Sequence, residues 1–176
     1  MQAKARLFGH PIHQMLIVFP LGLLATSLFF DIARLSSGNP QWGVISYWLI
    51  VVGIVTGLLA AVFGLIDWLS IPTETRARRI GRLHGLGNVV VVGLFAASWF
   101  LRRDDPGNPA GAAVTLSVLA VLLALVTAWL GGELVDRLGV GVDEGANLNA
   151  PNSLSGHSAG DPGRATAVRA ASSGRP

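Results

Sequence analysis

The chain of 176 residues is 51% hydrophobic and only 13% charged, with a mean hydropathy of +0.55. Soluble domains contain about 25% charged residues, so this composition indicates a membrane protein. The formal net charge of +3 does not indicate nucleic-acid binding, because the arginines lie mainly between apolar tracts. The absence of cysteine excludes disulfides, thiolate zinc sites and cysteine-ligated iron–sulfur clusters.

Four apolar tracts are long enough, or nearly so, to cross a hydrocarbon layer about 30 Å thick, which needs roughly 20 helical residues. They cover about residues 15–32, 44–69, 86–101 and 112–134. Tryptophans and the single tyrosine lie mostly near the ends of these tracts, as in an aromatic belt. The predicted fold class is all-α integral membrane, a four-transmembrane-helix bundle formed by residues 1–142.

The first tract has a second interpretation, because Lys4 and Arg6 before an apolar run are also typical of a secretory signal peptide. The small-residue segment "LLATS" is a poor cleavage site, so we favour a retained span. Pro20 has no N–H to donate to the carbonyl of Leu16, and it therefore predicts a kink in this span.

Residues 143–176 have a different composition, rich in Gly, Ala, Ser, Asn, Pro and Arg. Such a segment cannot bury enough apolar surface to offset its ordering entropy, so we predict a disordered polar tail. His157 lies in this tail and is expected to be a solvated side chain.

The distribution of basic residues predicts the orientation of the bundle. With four spans, both termini and the arginine-rich connection between the second and third spans share one side. The basic residues on that side are Lys4, Arg6, Arg76, Arg78, Arg79, Arg82, Arg137, Arg164, Arg169 and Arg175. The other side carries only Arg34, Arg102 and Arg103. The positive-inside bias therefore predicts a multi-pass protein of the plasma membrane with both termini in the cytoplasm.

Every span places at least one titratable side chain at the predicted cytoplasmic face. These residues are His10, His13, Asp67, His84 and Glu133. Helical spacing places His13 and Asp31 on one stripe of the first span, and His84 and Arg102 on one stripe of the third. Asp31 is the exception among the acidic groups, since it lies at the far end of its span.

Asp67 lies on a stripe of small residues that includes the GxxxG pair Gly53–Gly57. Small residues allow close helix–helix approach, so Asp67 is expected to point into the bundle. Glu133 follows Gly131 and Gly132 at the end of the fourth span, where its direction is less well defined by helical spacing.

Several segments together resemble a known family. "GHPIHQMLIVFPLGL", "RLHGLGN" and "GGELVDRLGVGV", with Asp31 and Asp67 at span ends, resemble the predicted bacterial membrane proteins catalogued as domain of unknown function 2231. The resemblance covers about the first 143 residues and leaves out the tail. It implies a four-span domain of the bacterial inner membrane without an established activity, found beside redox modules in some relatives.

The same family is loosely similar to two-haem membrane cytochromes, and this similarity implies haem-ligand roles for His13 and His84. The chain lacks the four paired, inward histidines that two haems require. A single haem b is therefore the haem candidate, and a divalent metal stays an alternative to it.

Three functional hypotheses remain open from the sequence. In the first, His10, His13, Asp67, His84 and Glu133 hold a divalent metal, since imidazole and carboxylate are common ligands and helix bundles build such sites from facing helices. Haem is the variant of this hypothesis that uses only the two ring ligands. With either cofactor, the expected role is that of an accessory to a redox system.

In the second hypothesis, His13, Asp67 and His84 exchange protons in a proton-linked membrane protein, although the middle of each span lacks charge. In the third, the protein is a structural or assembly subunit without a cofactor. Its expected partners are the lipid bilayer and another membrane or redox protein or a second copy. No hydrolase or phosphate-loop motif is present, so the sequence predicts no independent catalytic activity.

Overall fold

The structure, a computed structural model, describes residues 1–161 and consists of four long helices preceded by a small hairpin. Strands β1 (Arg6–Leu7) and β2 (His10–Pro11) pair antiparallel and lead into the short helix α1 (Ile12–Leu16). The long helices are α2 (Val18–Ser37), α3 (Pro40–Ser70), α4 (Arg76–Leu101) and α5 (Gly111–Gly132). A π-helical turn at Glu133–Arg137 continues α5.

The predicted four-span fold is confirmed. The stretches long and apolar enough to cross a membrane are Ile12–Ser37, Pro40–Ser70, Arg76–Leu101 and Gly111–Arg137. Large apolar side chains cover their outer surfaces; Phe29, Val55 and Leu125, for example, are 71%, 60% and 62% exposed. Apolar surface of this extent is stable when lipid, rather than water, covers it.

The first span is interrupted at Ile17, where α1 ends and α2 begins. This is the position at which a kink is expected, because Pro20 lacks the N–H that would bond to the carbonyl of Leu16. The interruption leaves His13 on a short helix of its own, close to α3.

The arginine-rich segment between the second and third predicted spans is helical. Helix α4 begins at Arg76, ahead of the predicted start of the third span near residue 86. Thr75 caps the helix by accepting a hydrogen bond from the backbone N–H of Arg78 at 3.1 Å, and arginine is itself a good helix former. A hydropathy criterion detects only the lipid-embedded part of such a helix.

The helices form a closed ring around one apolar core. α2 packs most extensively on α3 and α4 on α5, while α3–α4 and α2–α5 contacts complete the ring. The core cluster contains side chains from all four helices: Leu24, Ile50, Val91, Phe95 and Ala120.

The first hairpin (α1–α3) and the second hairpin (α4–α5) repeat the same pattern of inward positions. In the leading helices, an offset of 71 residues (84 minus 13) relates His13 to His84, Leu24 to Phe95, Ser27 to Ser98 and Asp31 to Arg102. In the following helices, an offset of 67 residues (127 minus 60) relates Ser46 to Ala113, Ile50 to Ser117, Gly53 to Ala120, Ala60 to Thr127 and Gly64 to Gly131. The ring is therefore an internal repeat, with α2 equivalent to α4 and α3 equivalent to α5.

The N-terminus and the segment that follows α5 lie at the same end of the bundle. The amino group of Met1 donates to the carbonyl of Gly139 at 2.8 Å, and the N–H of Gly141 donates to the carbonyl of Met1 at 2.9 Å. Residues 143–161 contain turns but no helix or strand. The predicted disorder of residues 162–176 lies outside the described residues, and the boundary at residue 142 stays a prediction.

Candidate functional site

His13 and His84 meet inside the ring at the end that also holds the N-terminus. Their ring centroids are 6.4 Å apart and their planes are nearly perpendicular, at 87°. The two residues come from equivalent positions of the two hairpins, and both are half-buried. The fold therefore brings the two rings close together, and we call them the histidine pair.

Each ring of the histidine pair is held by a main-chain carbonyl of the neighbouring helix. Nδ1 of His13 donates to the carbonyl of Ala60 at 2.9 Å, and Nδ1 of His84 donates to the carbonyl of Thr127 at 2.8 Å. A carbonyl can only accept, so both Nδ1 atoms carry the proton. In the neutral ring this arrangement leaves the lone pair on Nε2.

A glycine one turn further along each helix makes room for the ring. A Cβ at Gly64 would lie 2.8 Å from Nδ1 of His13, and a Cβ at Gly131 would lie 3.2 Å from Cε1 of His84. Both glycines follow the accepting carbonyl by four residues, so the two ring sites are built in the same way.

The second hairpin adds polar side chains that the first one lacks. Asn88 donates from Nδ2 to Nε2 of His84 at 3.2 Å, and Thr127 donates from Oγ1 to Oδ1 of Asn88 at 3.0 Å. The equivalent of Thr127 in the first hairpin is Ala60, which has no hydroxyl. His84 is therefore supported on both ring nitrogens.

The predicted five-residue cluster is not found: within residues 1–161, no group of three or more His, Asp or Glu side chains is placed to hold a metal ion. Asp67 is buried, but its Oδ1 accepts hydrogen bonds from the N–H groups of Lys4 and Ala5 at 2.7 and 2.9 Å. The carboxylate thus holds the N-terminal segment against α3 instead of joining the histidine pair.

The two other predicted ligands also have local partners. Glu133 forms an ion pair with Arg76, with Oε2 and Nη2 2.7 Å apart. His10 is exposed in β2, and its Nε2 lies 3.4 Å from the Oγ of Ser153. Arg76 lies in the first turn of another helix and Ser153 in the turns after α5, and the helical spacing of a single span does not predict either contact.

A second polar site, which the sequence analysis missed, lies at the opposite end of the ring. Arg102 and Asp31 are buried and form a bidentate ion pair, with Nη1–Oδ1 and Nη2–Oδ2 distances of 2.8 and 3.2 Å. Hydroxyl groups of three helices accept from the same guanidinium at 2.9–3.3 Å: Ser46, Ser98 and Ser117. We call these five residues the charge cluster.

The signal for the charge cluster was present in the sequence. The stripe from His13 ends at Asp31 and the stripe from His84 ends at Arg102. Each stripe therefore begins with a histidine, and the two stripes end in side chains of opposite charge. Arg102 was placed on the stripe from His84 but was otherwise counted only among the basic residues of the far side, and it was not paired with Asp31. Buried apolar side chains of the core, such as Leu24 and Phe95, separate the charge cluster from the histidine pair.

An open cavity of about 550 Å³ lies elsewhere. It lies between the N-terminal hairpin and the turns after Asp143, and residues such as Arg6, His10 and Asn152 line it. Neither member of the histidine pair lines this cavity, so its contents would not contact the two rings.

Residues 9–144 match the family described as "Predicted membrane protein (DUF2231)". The chain belongs to this family. The matched residues include all four spans of this DUF2231 protein, its histidine pair and its charge cluster, and they leave out most of the tail. No curated protein and no solved structure matches the chain.

Proposed function

We propose that this protein holds one transition-metal centre between His13 and His84, as the iron of a single haem or as a bare ion, and serves a redox system of the membrane. The observation that carries this proposal is the geometry of the histidine pair. A metal held by one ring nitrogen of each histidine, at nitrogen–metal distances of about 2.0 Å, would require the two ring centroids to lie roughly 6 Å apart. The observed separation is 6.4 Å.

The hydrogen bonds around the two rings support the same proposal. Histidines that bind metals usually donate their other ring N–H to a carbonyl or carboxylate, which fixes the tautomer and the ring orientation. His13 and His84 both do so, through Ala60 and Thr127. A metal at Nε2 of His84 would replace its contact with Asn88.

The residues fit an iron or a similar ion that accepts two neutral nitrogen donors. Bound iron would supply one-electron transfer, while the chain itself would orient the two rings through the carbonyls of Ala60 and Thr127. Asp67 and Glu133 are not part of this proposal, because their carboxylates are engaged elsewhere.

A visible absorption spectrum and a metal assay on the same detergent-purified sample test the proposal. A Soret band lost in His13→Ala and His84→Ala identifies haem, and stoichiometric metal without colour identifies a bare ion. His10→Ala is the matched control, since this histidine is exposed and its Nε2 lies 3.4 Å from the Oγ of Ser153. Retention of the cofactor in both site variants, or its equal loss in the control, would contradict the proposal.

A structural role without a cofactor is the second candidate. The observation that favours it is the hydrogen bond from Asn88 to Nε2 of His84, which satisfies that nitrogen within the protein. Under this alternative, the purified protein contains neither haem nor stoichiometric metal. His13→Ala and His84→Ala would then change the stability of the bundle but no spectroscopic property.

We also propose that the end holding the histidine pair faces the cytoplasm of a bacterial plasma membrane. The support is the excess of arginine on that side, where α4 alone contributes Arg76, Arg78, Arg79 and Arg82. A topology reporter fused after Asp143 is expected to be active only on the cytoplasmic side. Reporter activity on the opposite side would show that the orientation is the reverse of the one proposed, and it would leave the metal proposal unaffected.

A further inference from the structure

The first turns of α4 carry four arginines, of which two are used within the fold. Arg76 pairs with Glu133, and Arg78 stacks over the ring of Trp68, with its Cζ 3.7 Å from the ring centroid. The other two, Arg79 and Arg82, are exposed, and within residues 1–161 no carboxylate lies within 4.0 Å of either guanidinium.

Arg79 and Arg82 share one outward face of α4 with apolar residues. Leu83 and Leu86 follow at helical spacing and are 55% and 59% exposed, on a surface that lipid covers. Side chains of a helix tilt towards its N-terminus, which for α4 is the end outside the hydrocarbon. The two guanidinium groups therefore extend to the depth of the headgroups, directly beyond the leucines.

The opposite end of the bundle offers no comparable pair among the described residues. Arg102 is buried in the charge cluster, and Arg103 pairs with Asp104 at 3.5 Å. Arg34 donates from Nε to the carbonyl of Gly107 at 2.7 Å and also bonds to the side chain of Asn108. At the end that holds the N-terminus, by contrast, Arg79 and Arg82 form an exposed pair on one face of a single helix.

We propose that Arg79 and Arg82 bind the phosphate of an anionic phospholipid whose acyl chains lie along Leu83 and Leu86. Guanidinium groups bind phosphate oxygens through paired N–H donors, which lysine cannot reproduce. The adjoining leucines select a lipid over a free anion, because a soluble phosphate gains nothing from an apolar neighbour. This inference does not depend on the proposed metal centre.

The test compares the thermal stability of the full chain in detergent with and without added phosphatidylglycerol. Phosphatidylglycerol is expected to raise the Tm of the wild type, and phosphatidylcholine at the same concentration to raise it far less. In Arg79→Gln/Arg82→Gln the phosphatidylglycerol shift should fall at least threefold. Arg103→Gln/Arg137→Gln is the matched control, which loses two charges but keeps the shift.

Two results would overturn the proposal. One is a full phosphatidylglycerol shift in Arg79→Gln/Arg82→Gln, and the other is an equal shift of the wild type by inorganic phosphate at the same concentration. If the glutamine variant does not fold, Arg79→Lys/Arg82→Lys replaces it, with an intermediate shift expected. Native mass spectrometry of the wild type provides a separate measurement, and equal retention of the two lipids would also refute a site for an anionic phospholipid, because phosphatidylcholine carries a phosphate without net negative charge.

Discussion

Asp31→Asn is expected to be among the most destabilising single substitutions in the bundle, although the two side chains have nearly the same volume. The variant leaves the guanidinium of Arg102 buried without a counter-charge, with only the neutral amide oxygen and serine hydroxyls as acceptors, and both side chains of the pair have no solvent exposure. Breaking a buried ion pair by removing one partner costs about 3–5 kcal/mol. For a chain of this size, that loss corresponds to a decrease in Tm of roughly 6–20 °C.

The assay is unfolding of the detergent-solubilised protein by SDS or heat, followed by tryptophan fluorescence. Arg103→Gln is the neighbouring control: its guanidinium is 51% exposed and its partner Asp104 is 93% exposed. Its free energy of unfolding should change by less than about 0.5 kcal/mol. If Asp31→Asn lowers the stability no more than this control does, the ion pair is not buried as described.

Two double variants separate the charge from the packing at these positions. Asp31→Leu/Arg102→Met should recover most of the loss, because apolar side chains of adequate volume replace both charges together. Asp31→Arg/Arg102→Asp should also recover part of it, because the two positions are equivalent in the internal repeat. Failure of both double variants would show that contacts other than the ion pair determine the loss.

Two further predictions concern the end of the bundle that holds the N-terminus. Gly64→Ala places a Cβ 2.8 Å from Nδ1 of His13 and should destabilise the protein by about 1–3 kcal/mol in the same unfolding assay, whereas Gly22→Ala, in open space, should be neutral or stabilising. Asp67→Ala removes the acceptor of two backbone N–H groups and should release the N-terminal segment, measured as faster amide exchange at residues 4 and 5; unchanged exchange there would contradict the assignment.

The sequence predicted the spans and the inward stripes because both follow from local rules. Hydropathy located the lipid-embedded residues, and helical spacing placed His13 and His84 on inward stripes, where the fold brings their rings together. The same reasoning could not find the partners of Asp67 and Glu133. Those partners are backbone N–H groups of the N-terminal segment and a side chain of the first turn of α4, and neither has a sequence pattern.

The charge cluster was missed for a different reason. Arg102 follows the last residue of α4 and stands in a run of charges, so its sequence context is that of a solvated connection. Only comparison of the two hairpins shows that it occupies the position of Asp31. A search of the sequence for an internal repeat, in addition to hydropathy, would have paired these two residues without the structure.

The internal repeat has a consequence for what a single chain can achieve. Two identical hairpins meeting about a true symmetry axis would bring aspartate to aspartate or arginine to arginine, and either arrangement leaves like charges in an interior without water. Because both hairpins belong to one polypeptide, their sequences can differ at related positions. A fused pair of hairpins can carry opposite charges at residues 31 and 102 and an amide beside only one of the two imidazoles. A homodimer of identical hairpins cannot carry either difference.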